Sequence, residues 1–328
     1  MKKYLSLFVA CVFCLCALVG CGSDKKEAAA GSGTGGGDRL QIVTTIFPEY
    51  DWVMNILGDK AADAEVTMLL NNGVDLHSFQ PTAEDILKIS TCDMFVYVGG
   101  ESDEWVEDAL EEAVNKEMVV INLMDVLGDS VKEEEVVEGM EHDHEHEEGE
   151  VEYDEHVWLS LKNTITLVES ISSAMQKLDP DDAGAYKTNT EAYVGKLSAL
   201  DEKYAAAVQS GSVKTVLFGD RFPFRYLTDD YGLKYFAAFA GCSAETEASF
   251  ETITFLSKKI DELKLPAVLT IEGDEHKIAE TIVQNTQTKD QKILTMDSMQ
   301  ATTADDVKNG TTYLSVMESN LSVLKEAL

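Results

Sequence analysis

The chain has 328 residues, 45% of them hydrophobic, and its 60 Asp and Glu against 26 Lys and Arg leave a formal net charge of −34. That length holds two domains of ordinary size, each with a substantial core. So acidic a chain repels nucleic acid and anionic substrates and attracts cations, which excludes partners more sharply than it names one.

Residues 1–20 read as a lipoprotein signal peptide: Lys2 and Lys3 lead an apolar run over 5–19 that is too short, and wrongly flanked, for a stable membrane span. The run closes on Leu18-Val19-Gly20-Cys21, which resembles the bacterial lipobox, so Cys21 is the expected lipid attachment point. The expected location is the extracellular face of the bacterial membrane. The Gly/Ser/Ala-rich stretch 21–38 reads as a flexible tether. Cys11, Cys14 and Cys16 leave with the signal, so Cys92 and Cys242 remain. They lie far apart in sequence, and two buried small apolar residues are the default reading, with a disulfide as the alternative.

From residue 39 the pattern alternates. Strands are expected at 40–46, 65–70, 94–98 and 118–123, with helical patterns at 50–57, from Thr82 onward, and at 104–114. The segment 133–155 interrupts this with Glu, Asp and His and no Lys or Arg; it cannot bury a core and reads as a solvated loop. Helical periodicity returns over 158–178, breaks at Asp179-Pro180, and resumes over 183–208 as a candidate connector. The alternation then restarts, with strands at 213–218, 234–239, 267–271 and 292–296. Helices are expected near 222–230 and at 250–263, 275–285 and 311–324. Apolar strands alternating with helices predict parallel sheets. The expected architecture is α/β: an N-terminal lobe over 39–180, a linking helix over 181–210, and a similar C-terminal lobe over 211–328.

In open α/β sheets ligands sit beyond the carboxyl ends of strands, so a cleft between two such lobes is lined by the loops that follow them. His77, His156, Asp220 and Asp297 all fall in such places. Imidazole and carboxylate together suit Zn²⁺ or Mn²⁺. Taken singly, each has a plainer reading as a surface residue or a helix cap. His142, His144 and His146 alternate with carboxylates in the acidic loop and form a second, weaker candidate site. No phosphate-binding loop or zincin helix motif occurs, and Gly241-Cys242-Ser243-Ala244-Glu245 lacks the second glycine of a hydrolase nucleophile elbow.

Four stretches resemble the metal-binding lipoproteins of bacterial zinc and manganese ABC importers. They are Val43-Thr44-Thr45-Ile46-Phe47-Pro48; the segment 73–81 with Thr82 and Asp85; the segment 154–159; and Asp179-Pro180 with Tyr186, Asn189 and Tyr193. The resemblance covers essentially the whole chain beyond the tether. It departs at Leu76 and Glu155, where the family commonly has Pro. It implies that His77, His156 and Asp297 ligate the metal, and that the His-rich insertion collects Zn²⁺ at low affinity. At the third-ligand column stands Arg221, which cannot ligate because it stays protonated. Asp220 is the chemically sensible substitute, and water, Glu272 or Glu275 are alternatives. The resemblance implies a non-enzymatic, monomeric carrier of Zn²⁺, with Mn²⁺ as the alternative cargo, that delivers to an ABC permease and its ATPase. A surface adhesin or metal buffer and, less favoured, a secreted zinc hydrolase are the rivals.

Overall fold

The chain is described here by a computed structural model, which covers residues 39–140, 152–243, 247–273 and 276–328. The expected leader with Cys21, the His-rich stretch with His142, His144 and His146, and Glu275 lie outside these described residues.

The first sheet is built from β1 (Leu40–Thr44), β2 (Ala64–Met68), β3 (Met94–Tyr97) and β4 (Val119–Asn122), in the order β2-β1-β3-β4, with every pair parallel. Between these strands run α1 (Phe47–Leu57), α2 (Ala83–Thr91) and α3 (Trp105–Glu111), and α4 (Leu123–Leu127) follows directly. Helix α1 starts earlier than its apolar pattern suggests, because Pro48 sits in its first turn, where a missing N–H costs nothing. Glu49 also reaches back to accept from the amides of Thr45 and Ile46 at 2.8 and 3.2 Å. Thr82 caps α2, exchanging hydrogen bonds with Asp85.

Two helices then run back to back, α5 (Leu161–Leu178) and α6 (Ala183–Ser210). The second sheet repeats the first arrangement. It contains β5 (Thr215–Phe222), β6 (Lys234–Ala240), β7 (Ala267–Thr270) and β8 (Lys292–Thr295), ordered β6-β5-β7-β8 and all parallel. Its helices are α7 (Arg225–Tyr231), α8 (Phe250–Leu263), α9 (Lys277–Gln284), α10 (Ala304–Lys308) and α11 (Tyr313–Ala327). Strand β5 runs four residues past its expected end, through a register shift between Phe218 and Arg221. Gly219 lies at that shift, and a Cβ there would come within 2.7 Å of the Ala279 backbone, so only glycine lets α9 approach. Asp220 therefore sits inside the strand, not in the loop beyond it.

The buried stripe of α6 falls at Tyr186, Thr190, Tyr193, Leu197, Leu200 and Tyr204, steps of three and four that keep one face inward over 28 residues, or about 42 Å. Asn189 donates to the carbonyls of Ile56 and Leu57, and Tyr193 to Asp51; further along, Tyr204 donates to the carbonyl of Met317. One hydrophobic core accordingly runs from Ile42 and Phe95 through α6 to Phe218, Leu269 and Leu328. A second cluster around Leu217, Leu256, Val268 and Ile282 seats α8 and α9 on the second sheet. Among the described residues no helix is long and apolar enough to cross a membrane.

The first lobe buries carboxyls at a cost. Burial pushes Asp103 up to about 7 and Asp51 up to about 6, and raises Glu49 well above the ordinary range, with the charge of Asp103 adding to the effect. Oxygens Oε1 of Glu49 and Oδ1 of Asp103 are buried without a hydrogen-bond partner. These groups hold protons in the folded chain at pH values where the unfolded chain, titrating near 4, has lost them. Stability is therefore lost as pH rises toward 7 and above. His77, held down to about 3, opposes this only below about 6.5, where the unfolded imidazole takes up its proton. The metal-free chain is expected to unfold at a higher temperature at pH 6.5 than at pH 8, with Asp103→Asn flattening the difference. An equal or higher midpoint at pH 8 would contradict this.

Candidate metal centre

His77 lies on the short turn Leu76–Ser78 in the loop after β2, and the Asp75 carboxylate caps that turn by accepting from the His77 amide at 3.0 Å. His156 introduces the turn Val157–Leu159 ahead of α5, and Asp154 accepts from its amide at 2.9 Å. The two loops come from different parts of the chain, yet the Nε2 atoms of the two imidazoles stand 3.2 Å apart.

Each ring is oriented from behind. His156 is fully buried, and its Nδ1 lies 2.9 Å from Oδ1 of Asp154, an acceptor that requires Nδ1 to carry the proton. Nδ1 of His77 lies 2.8 Å from the Ser102 hydroxyl and 3.4 Å from Oε2 of Glu155, an oxygen with no hydrogen bond of its own. Both Nε2 atoms then face the same space. Burial, followed by the neighbouring His156, pulls His77 down to about 3 and keeps it neutral. Burial also works against a charged His156, but Asp154 outweighs it and raises that ring. With both rings neutral, two acceptors turned toward each other repel unless a proton or a metal cation stands between them. Two nitrogens on one tetrahedral Zn²⁺, with bonds of about 2.0–2.1 Å, are separated by about 3.3 Å, so the pair fits such an ion. A carboxylate behind a ligating imidazole is the usual outer support of a metal site.

The turn after β6 closes in from the second lobe. Gly241 packs so tightly on His156 that a Cβ would sit 3.0 Å from Cε1 of the ring and 3.0 Å from the Phe222 carbonyl. The next residue is Cys242. Its amide donates to Glu134 at 3.2 Å, and burial together with Glu134, Asp154 and Glu155 pushes its thiol well above the ordinary value. His77, His156 and Cys242 form the one group of three His, Cys, Asp or Glu ligand atoms, among the described residues, that lie within 4.8 Å of one another. The amide oxygen of Gln300 lies 3.3 Å from Nε2 of His156. An adjoining cavity of about 220 Å³ is lined by His77, Cys242, Glu101, Glu134, Glu152 and Glu155.

The other expected ligands are placed differently. Asp220 accepts from the amides of Arg221 and Ile271, at 2.9 and 3.3 Å, and so ties β5 to the end of β7. Arg221 reaches across to Asp75 at 2.8 Å. Asp297 accepts from the Met299 amide at 2.7 Å, and burial, with the charge of Glu272, lifts its carboxyl to about 6. Glu272 is occupied by the amides of Ser298 and Gln300 and the Ser298 hydroxyl, and it holds the turn that carries Gln300. Cys92 and Cys242 are both free thiols. The feet of the acidic loop pair as a short antiparallel bridge between Glu133 and Tyr153. Lys132–Asp229 and Arg225–Glu135 ion pairs pin them to α7. Reading by residue type passed over Gln300, which has no charge to mark it. It also took Cys242 as core or half of a disulfide, although its place just past a strand end was the same signal that singled out the aspartates.

Fold and pocket together define a two-lobed α/β protein with paired imidazoles at the junction of its sheets. The profile of the zinc-uptake complex component A periplasmic (ZnuA) family matches residues 42–327, and the chain belongs to that family. It is 33% identical to the zinc-binding lipoprotein AdcA of Streptococcus pneumoniae serotype 4, over 99% of this chain and 61% of that protein. It is 30% identical to the high-affinity zinc uptake system protein ZnuA of Bacillus subtilis strain 168, over 100% of this chain and 98% of that one. The chain thus spans less than two thirds of the AdcA sequence and nearly all of the Bacillus protein. The crystal structure of the Zn(II)-bound ZnuA-like domain of S. pneumoniae AdcA superimposes with a TM-score of 0.69 at 29% identity, covering 88% of this chain and 99% of that domain.

Proposed function

We propose that this chain captures Zn²⁺ at the His77–His156 pocket on the outer side of the membrane and delivers it to an ABC permease and its ATPase, without chemistry of its own. The observation that carries this reading is the pair of Nε2 atoms 3.2 Å apart, each ring fixed from behind by an oxygen partner. Family membership supports it, as does the acidic cavity, whose glutamates raise the local concentration of cations. Anchorage through Cys21 and action as a monomer belong to the same reading, with the collecting histidines His142, His144 and His146 feeding the pocket.

Asp297 keeps a place in this reading as an acidic ligand from the second lobe, since only one of its carboxylate oxygens accepts a hydrogen bond among the described residues. Asp220 is assigned a structural role, with both oxygens occupied. Asp220→Asn is expected to leave Zn²⁺ affinity unchanged while lowering stability by about 1–2 kcal/mol, because the new amide turns a donor toward a backbone N–H. Calorimetry and denaturant unfolding of the variant measure both quantities, and a large loss of affinity would return Asp220 to the ligand set.

The deciding experiment is calorimetric competition between Zn²⁺ and Mn²⁺ on the metal-free chain. Tight, one-to-one Zn²⁺ binding that Mn²⁺ displaces poorly is the expected outcome. Preference for Mn²⁺ would change the cargo, and weak binding of both would end the carrier reading.

A further inference from the structure

Resting on that reading of the His77–His156 pocket, we infer that Cys242 supplies the third protein ligand as a thiolate, making this a mixed imidazole–sulfur site that prefers Zn²⁺ and Cd²⁺ to Mn²⁺.

Three observations converge. The sulfur and the two imidazole nitrogens all lie within 4.8 Å of one another, a spread that one ion can satisfy. The turn bearing Cys242 is seated by a glycine: a Cβ at Gly241 would sit only 3.0 Å from both the His156 ring and the Phe222 carbonyl, closer than such contacts normally come. The approach of sulfur to imidazole is therefore built into the packing. Finally, the side chain that β5 offers in this region is Arg221, which cannot ligate and is committed to Asp75. The neighbouring strand β6, paired with β5 through Phe222 and Ala240, ends two residues before Cys242 and presents it at the pocket instead.

When the ion binds, the S–H bond breaks, its proton passes to solvent, and the sulfur lone pair forms the metal bond; no oxidant or reductant takes part. The chemical consequence is selectivity. Soft thiolate favours Zn²⁺ and its thiophilic relatives, whereas Mn²⁺ is better served by carboxylate, carbonyl and water. A pocket of imidazole and carboxylate alone lacks that discrimination.

The test uses the reduced, metal-free full-length chain titrated with Co²⁺, an ion that reports sulfur ligation through a charge-transfer band in the near ultraviolet. The band is expected to saturate at one Co²⁺ per chain, to survive in Cys92→Ser, and to vanish in Cys242→Ser. Cys242→Ser is also expected to weaken Zn²⁺ binding by at least roughly tenfold while leaving Mn²⁺ binding nearly unchanged, so that the preference narrows. A wild-type chain that binds Co²⁺ in a His77-dependent way without the band overturns the thiolate ligand and leaves the carrier reading standing. So does a Cys242→Ser chain with the band, or the Zn²⁺/Mn²⁺ ratio, intact. A wild-type chain that binds neither Co²⁺ nor Zn²⁺ overturns both.

Discussion

Replacing His77 by alanine is expected to reduce Zn²⁺ affinity by well over the roughly 10–100-fold that loss of an outer-shell partner costs, with the fold intact. The first half follows from geometry. In the proposed site His77 supplies one of the two nitrogens that would frame the ion's position, and no other imidazole among the described residues stands within reach of His156 Nε2 to replace it. The second half follows from placement. His77 lies on a short turn, its side chain is 13% exposed, and it belongs to neither hydrophobic cluster, so truncation leaves both cores filled. Calorimetry should therefore show binding lost while the thermal midpoint of the metal-free protein moves little. Tight binding that persists would place the ion outside this pocket.

Trp158→Ala should do the reverse, acting on stability first and on affinity as a result. Trp158 is fully buried; its ring lies 5.3 Å from that of His156, and its Nε1 donates to the Ser298 carbonyl at 2.9 Å. The Trp158 carbonyl in turn accepts from Tyr313 at 2.7 Å. Removing so large a buried side chain costs about 3–5 kcal/mol, or roughly 10 °C in midpoint for a unit of this size. The lost Ser298 contact also frees the turn carrying Gln300, so Zn²⁺ affinity should fall as well. Trp158→Phe keeps most of the volume and loses the hydrogen bond, costing about 1 kcal/mol and isolating the effect of that bond on the pocket. If the alanine variant is as stable as the parent, the stitching role assigned to this indole is wrong.

Much of the architecture was legible because each strand is a short apolar run and each long helix repeats its buried positions at three and four. Tyr186, Thr190, Tyr193 and Leu197 announce α6 without any knowledge of what packs against them. The boundaries that escaped are those decided by tertiary contacts. The extension of β5 through Phe222 depends on α9 lying against Gly219, and the early start of α1 depends on Glu49 folding back onto Thr45. The pocket divided in the same way. His77 and His156 stand in loops where an imidazole has few structural uses. Cys242 is chemically ambiguous, equally at home in a core, a disulfide or a metal shell, and its nearness to the two histidines is visible only in the fold. Asp220 is the opposite case: a carboxylate at a strand end reads as a ligand, and the structure adds that each of its oxygens also accepts from a backbone amide.

The core that passes unbroken along α6 bears on how an ion leaves. Two lobes with separate interiors could swing apart and expose everything between them in one motion. Here such a motion would have to tear apolar surface shared by Tyr193, Leu197 and Tyr204 with elements of both sheets. If the chain carries an ion as proposed, unloading is a local event, confined to the short turns bearing His77 and Cys242 and to the Asp75–Arg221 bridge beside them. In that reading the dwell time of the ion would be set by how often those turns lift, and a receiving protein would shorten it by pulling on them rather than by opening the molecule.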